Sequence, residues 1–75
     1  MVTAFVLIMT KTGKEKEVIS QLQQTSGINE AWAVYGDYDI IAKATVENLD
    51  VLNTLLLQEI RAIQNISMTS TLIGL

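Results

Sequence analysis

From Thr3 to Thr10 the chain carries an unbroken apolar run, Phe5-Val6-Leu7-Ile8-Met9, with no polar residue to mark a wet side. Alternate side chains of a strand face opposite ways, so Ala4, Val6 and Ile8 fall on one face and Phe5, Leu7 and Met9 on the other. Both faces are apolar. A strand of this kind needs covering twice, by helices on one side and by something else on the other. In so short a chain the simplest second cover is another copy of the same sheet.

Thr12-Gly13-Lys14-Glu15 matches a capping box, Thr12 accepting from an early helix amide while Glu15 reaches back. The helix it opens is predicted to run to about Ser26, with Val18, Ile19 and Leu22 inward and Gly27 as its left-handed stop. Ile28 to Tyr35 reads as a second strand and holds the single tryptophan, Trp32. Tyr38 to Val46 reads as a third, with Ile40, Ala42 and Ala44 on one face. Between them lies Tyr35-Gly36-Asp37-Tyr38-Asp39. Glycine tolerates φ > 0 and aspartate bonds its own backbone, so Gly-Asp marks a turn. The chain therefore folds back as a β-hairpin whose tip is narrow, acidic and flanked by two phenols. Asn48 is a good N-cap for a second helix, in which Leu49, Leu52, Leu55, Leu56, Ile60 and Ile63 recur at buried-stripe spacing and which Asn65 closes. Ile66 to Leu75 alternates in part and carries the hydroxyls of Ser67, Thr69, Ser70 and Thr71, which makes a fourth strand.

The order β-α-β-β-α-β is the split-βαβ arrangement of ferredoxin-like α+β domains. Right-handed crossovers place both helices on one face of a four-stranded antiparallel sheet, with strands one and three central. The apolar outer face of the first strand then calls for a dimeric α/β barrel or sandwich. No linker, repeat or low-complexity tract interrupts residues 1–75, which read as a single domain.

Composition sharpens this. A chain of 75 residues buries only about 60% of its unfolded surface. A single core of that size rarely supplies more than about 3–5 kcal/mol without disulfides, a metal or a partner subunit. There is no cysteine and no histidine, which removes disulfides, thiolate metal sites, the commonest metal ligand and the commonest general base. Oligomerisation is the stabiliser left. Hydrophobic residues make up 49% of the chain and mean hydropathy is +0.34, high for so thin an interior. No apolar run approaches the roughly 18 residues of a membrane span, and Met1-Val2-Thr3-Ala4 lacks the basic start of a signal peptide. A cytoplasmic protein without a membrane partner is expected. A net charge of −3 and a pI near 4.6 argue against direct nucleic-acid binding, which needs clustered Lys and Arg. Lys11, Lys14, Lys16, Lys43 and Arg61 form no single stripe.

The chain offers little for catalysis. No Ser/His/Asp or Cys/His set can be built, and neither metal-ligand spacing nor a phosphate-cradling glycine loop occurs. Asp37 and Asp39 would act as an acid/base pair only if one were buried, and a hairpin tip keeps both in water. No catalytic residue, metal or cofactor is expected. Binding is better served. An amino acid needs N–H donors for its carboxylate, and carboxylates or carbonyls for its ammonium. The Gly36-Asp37-Tyr38 backbone can supply the first, Asp37 or Asp39 the second, and Thr69 or Thr71 hydroxyls a polar rim. Charged hydrogen bonds contribute about 1.5–3 kcal/mol each, so two or three give a micromolar-to-millimolar sensor. The same five residues also serve as nothing more than a turn. Trp32 suits the core or a subunit interface as well as a ligand platform, and Tyr35 and Tyr38 are ordinary strand aromatics.

Tyr35-Gly36-Asp37-Tyr38-Asp39 followed by Ile40-Ile41-Ala42-Lys43 resembles the "Gly-x-Tyr-Asp, then apolar strand" signature of the regulator-of-amino-acid-metabolism (RAM) domain. This is the C-terminal effector domain of the Lrp/AsnC transcription regulators. The Leu-rich segment Asn48 to Ile63 is similar to that family's second helix, and Ile66-Ser67-Met68-Thr69-Ser70-Thr71 to its closing strand. The resemblance spans the chain. It implies dimers formed through the sheets, assembled into octamer or decamer rings, with amino-acid effectors held between dimers near the hairpin. Carried onto this sequence, the effector-contacting residues are Gly36, Asp37, Tyr38, Asp39, Thr69 and Thr71. The family's usual form begins with a helix-turn-helix segment that these residues lack, so the resemblance is to a stand-alone version, acting as a separate sensor or co-assembling with full-length relatives. Two rivals stand beside it. One is a small dimeric α+β-barrel enzyme of the monooxygenase or isomerase type, weakened by the missing histidines. The other is a purely structural partner of a full-length homologue.

Overall fold

The computed structural model describes residues 1–75. The opening apolar run forms β1 (Val2–Thr10), in which Ala4, Val6 and Ile8 are fully buried and Phe5, Leu7 and Met9 half-buried. α1 spans Glu15–Gln23 and buries Val18 and Leu22, one turn apart, on the inner face. Its start departs from the capping box. Lys14 occupies the N-cap position and no side chain caps it. The cause is a turn at Thr12-Gly13, with Gly13 at φ +79 and the Lys14 amide donating to the Lys11 carbonyl. That turn makes Glu15 the first helical residue, too early to reach back to a Thr12 cap. The helix also stops before Ser26, at Gln23, and the chain reverses through Gly27 at φ +95.

β2 (Ile28–Ala33) and β3 (Ile40–Val46) are both shorter at the hairpin end than the sequence pattern predicts. Asn48 caps α2 (Leu49–Thr54) as expected, its Oδ1 accepting from the Val51 amide at 2.9 Å. α2 then runs straight into a π-helical turn, Leu55–Ile60. The Arg61 amide donates five residues back, to the Leu56 carbonyl, at 3.3 Å. Leu52 and Leu55 are three apart and Ile60 five further on, and the i→i+5 turn lets Leu55 and Ile60 share the core side with the half-buried Leu56. Leu49, expected inward, is 54% exposed, and Leu57 in the π turn is 58% exposed. Asn65 at φ +73 ends the segment, and β4 (Ile66–Ile73) follows.

The strands order as β2-β3-β1-β4, every neighbouring pair antiparallel, with β1 and β3 central. This is the ferredoxin-like α+β arrangement expected. Both edge strands carry a bulge. In β2, Ile28 pairs with Ala44 and Glu30 with Lys43, leaving Asn29 extra. In β4, Met9 pairs with Met68 and Thr10 with Ile66, leaving out Ser67, whose hydroxyl donates to the Met9 carbonyl.

All 12 buried residues are apolar and all lie on the helix side of the sheet. Val18, Leu22, Leu52, Leu55 and Ile60 close over Ala4, Val6 and Ile8 of β1 and Ile40, Ala42, Ala44 and Val46 of β3. The other face has no cover within the chain. Register assigns it Phe5, Leu7, Met9, Ile41, Met68, Leu72 and Trp32, the last 43% exposed. The Asn29 bulge puts Trp32 there. An extra residue shifts the alternation by one, so Glu30 and Trp32 turn away from the helices while Ile28 and Ala31 pack on the core.

Candidate functional site

The hairpin between β2 and β3 is closed by the Val34 amide donating to the Asp39 carbonyl at 2.9 Å, with Tyr35 to Tyr38 as the turn. Gly36 sits at φ +123 with open space around it, a backbone conformation that a Cβ would strain. Tyr35, Gly36 and Asp37 are exposed, and Tyr38 and Asp39 half-buried.

Asp39 anchors this turn to β1 from both ends of the residue. Its amide donates to the Ile8 carbonyl at 2.9 Å. Its Oδ2 accepts from the Thr10 amide, also at 2.9 Å. A charge-assisted bond to a strand-end amide satisfies a donor that the β1–β3 ladder no longer reaches. One carboxylate oxygen of Asp39 is therefore committed inside the chain. Asp37 makes no such bond and stands free in water. Beside the clamp, Thr10 Oγ1 is buried without a hydrogen-bond partner.

The six residues marked by the sequence do not fall into one concavity. Gly36, Asp37, Tyr38 and Asp39 share the hairpin. Thr69 pairs with Ile8, which pairs with Ile40, so it lies at the same end of the sheet but two strands over, about 10 Å away at ordinary strand spacing. Thr71 lies in the row of Val6 and Ala42, about 7 Å further from the tip. The two main surface grooves are not lined by the hairpin. One of about 540 Å³ runs between α1 and the turn before β4, along Glu17, Gln21, Ala62, Ile63, Gln64 and Asn65. A smaller one of about 230 Å³ includes Thr69, Arg61 and Ser67. Sequence reasoning missed Thr10 as the hairpin's anchor, because its contribution is a main-chain amide that any residue could provide. It also missed Arg61 as a neighbour of Thr69, since the two are brought together by the π turn and the bend after it. No cluster of three or more His, Cys, Asp or Glu residues is placed to hold a metal ion. No helix is long and apolar enough to cross a membrane.

Residues 3–75 match the family described as the Lrp/AsnC ligand binding domain. The chain belongs to the Lrp/AsnC family. Among curated relatives, it is 36% identical over 74 residues to the HTH-type transcriptional regulator FL11 of Pyrococcus furiosus, a match covering 99% of this chain and 48% of that protein. The chain thus spans about half the length of the curated Lrp/AsnC-type regulators it matches. Among solved structures, hypothetical protein PHS023 from Pyrococcus horikoshii superposes with a TM-score of 0.94 at 43% identity, over 100% of this chain and 90% of that one. E. coli AsnC superposes at 0.93 with 29% identity, over 99% of this chain and 50% of that one. A regulator from Neisseria meningitidis, NMB0573, solved as a complex with L-Met, shares the fold at a TM-score of 0.87 and 12% identity, over 99% of this chain and 49% of that one. The chain is a ligand-binding regulatory domain of the Lrp/AsnC type, as the hairpin signature implied.

Proposed function

We propose that this domain is a non-enzymatic cytoplasmic sensor that binds an amino acid where copies meet, and that binding alters an assembly which modulates transcription. The observation that carries the reading is the hairpin. Its base is fixed to β1 through Asp39, while Gly36 and Asp37 stand at its tip with their polar groups unspent. A rigid turn that offers free amides and a carboxylate, but lines neither main groove of its subunit, gains a binding crevice from a neighbouring subunit. In this reading Asp37 meets the ammonium group, since Asp39 is half committed to Thr10. Gly36 and Tyr38 amides take the carboxylate, and Thr69 or Thr71 complete the rim from an adjoining copy. The uncovered apolar sheet face supports sheet-to-sheet dimers as the first step, with larger rings built from them. The fold's occurrence in a methionine complex supports the ligand class.

Linkage gives the size of the signal. A ligand at ten times its Kd stabilises the bound state by about 1.4 kcal/mol. For a domain of this length that raises the thermal midpoint by about 6–11 °C. The test is a thermal-shift screen of the twenty amino acids at 10 mM, paired with size exclusion and light scattering. At least one amino acid is expected to raise the midpoint or move the oligomer distribution. Flat melting curves and unchanged mass across all twenty would refute the proposal.

A further inference from the structure

The open sheet face holds two charges in an otherwise apolar and hydroxyl-bearing surface. Glu30 and Lys43 sit directly opposite each other on β2 and β3. Lys43 lies in the row that continues through Phe5 to Leu72, with Ile41 two residues before it on the same strand. It is only partly exposed although nothing in the chain covers that face, which is how a lysine lies when its stem follows an apolar surface. Glu30 is exposed. The two do not pair within the chain. The one ion pair in the structure is Lys14–Glu17, on α1.

We infer that Glu30 and Lys43 select the partner that covers this face, and that the partner they select is a second copy of the chain. This rests on the sheet-to-sheet dimer described above and adds what decides who can dock there. An isologous two-fold interface must be self-complementary, each residue meeting a different one on its mate and the reverse. A face with one acid and one base satisfies that, giving two Lys43–Glu30 pairs per dimer. A cover that brought no carboxylate would leave the Lys43 ammonium only Glu30 of its own chain, with which it forms no ion pair here, so burying it there is unfavourable. An apolar face alone would accept any greasy surface, and the charges reject most of them. The Asn29 bulge is part of the device, because without its shift in alternation Glu30 would point at the helices.

Sedimentation velocity on the whole chain tests this with three proteins, wild type, K43E and E30K, with circular dichroism confirming that each is folded. Each change sets two like charges opposite one another on β2 and β3, a small local cost that a thermal melt of each variant records. Wild type is expected to associate, and each single variant to associate at least about 100-fold more weakly. An equimolar mixture of K43E and E30K, one labelled with ¹⁵N, is expected to recover association as mixed dimers by native mass spectrometry. If both variants self-associate like wild type, the charges select nothing and the inference falls. It falls too if the variants are monomeric and their mixture stays so. A wild type that is monomeric at high concentration would sink the assembly reading itself, and this inference with it.

Discussion

Replacing Asp39 by alanine strips the Thr10 amide of its only recorded acceptor and frees the base of the hairpin from β1. Leaving a buried donor unsatisfied costs about 1–3 kcal/mol. Asp39 is only half-buried and water can reach part of the gap, so about 1–2 kcal/mol is expected. Unfolding entropy of about 2.1 cal/mol/K per residue gives about 0.16 kcal/mol/K for this chain, so the loss corresponds to about 6–12 °C. Total stability of a domain this size is about 4–11 kcal/mol, which makes the effect easy to see. D39N keeps a neutral acceptor and should lose less. D37A removes a carboxylate with no bond inside the chain and should stay within about 0.5 kcal/mol of wild type. The assay is scanning calorimetry at one fixed subunit concentration, because the proposed assembly would make the midpoint concentration-dependent. The same three proteins, titrated with whichever amino acid proves active, separate scaffold from contact: D37A should keep its midpoint and lose its response. If D39A melts within about 3 °C of D37A, the Thr10 clamp is not holding the tip and the assignment of roles fails.

Ile60→Ala should cost about 2–5 kcal/mol by urea denaturation, whereas Leu57→Ala should stay within about 0.5 kcal/mol; equal losses would show that the π turn does not aim Ile60 inward. Gly36→Ala meets no atom within 4 Å, so its whole effect is backbone strain of about 1–3 kcal/mol, read as a lower urea midpoint with an unchanged slope. Asn48→Ala should cost about 0.5–2 kcal/mol through loss of the bond to the Val51 amide, measured as a lower thermal midpoint, and Asn48→Asp should recover most of it.

Sheet order, helix positions and the second N-cap were legible in the chain because they rest on periodicity. Ala4-Val6-Ile8 and Ile40-Ala42-Ala44 alternate cleanly, and Asn48 precedes a strong apolar stripe. What escaped was whatever depends on a single residue's offset. Thr12-Gly13 has the residues of a cap and the conformation of a turn. The π turn at Leu55 to Ile60 leaves no mark in the pattern, since Leu52, Leu56 and Ile60 also suit a regular helix. The bulge at Asn29 has no glycine to announce it, yet it decides which way Glu30 and Trp32 point. At the candidate site, the hairpin and its acidic tip were visible as turn chemistry. The difference between its two aspartates was not, because Asp39 is distinguished by a main-chain partner on a strand 29 residues earlier. The distance of Thr69 and Thr71 from the tip was equally hidden, since it follows from strand order and not from any motif.

Both outer strands of the sheet are interrupted, at Asn29 and at Ser67. Each irregularity breaks the even row of free amides and carbonyls that another strand would need in order to zip on sideways. Lateral stacking without end, the route to fibrils, is thereby discouraged at either margin. In the proposed assembly, association runs instead through the broad side of the sheet, where pairing two surfaces uses them up and growth of that kind stops.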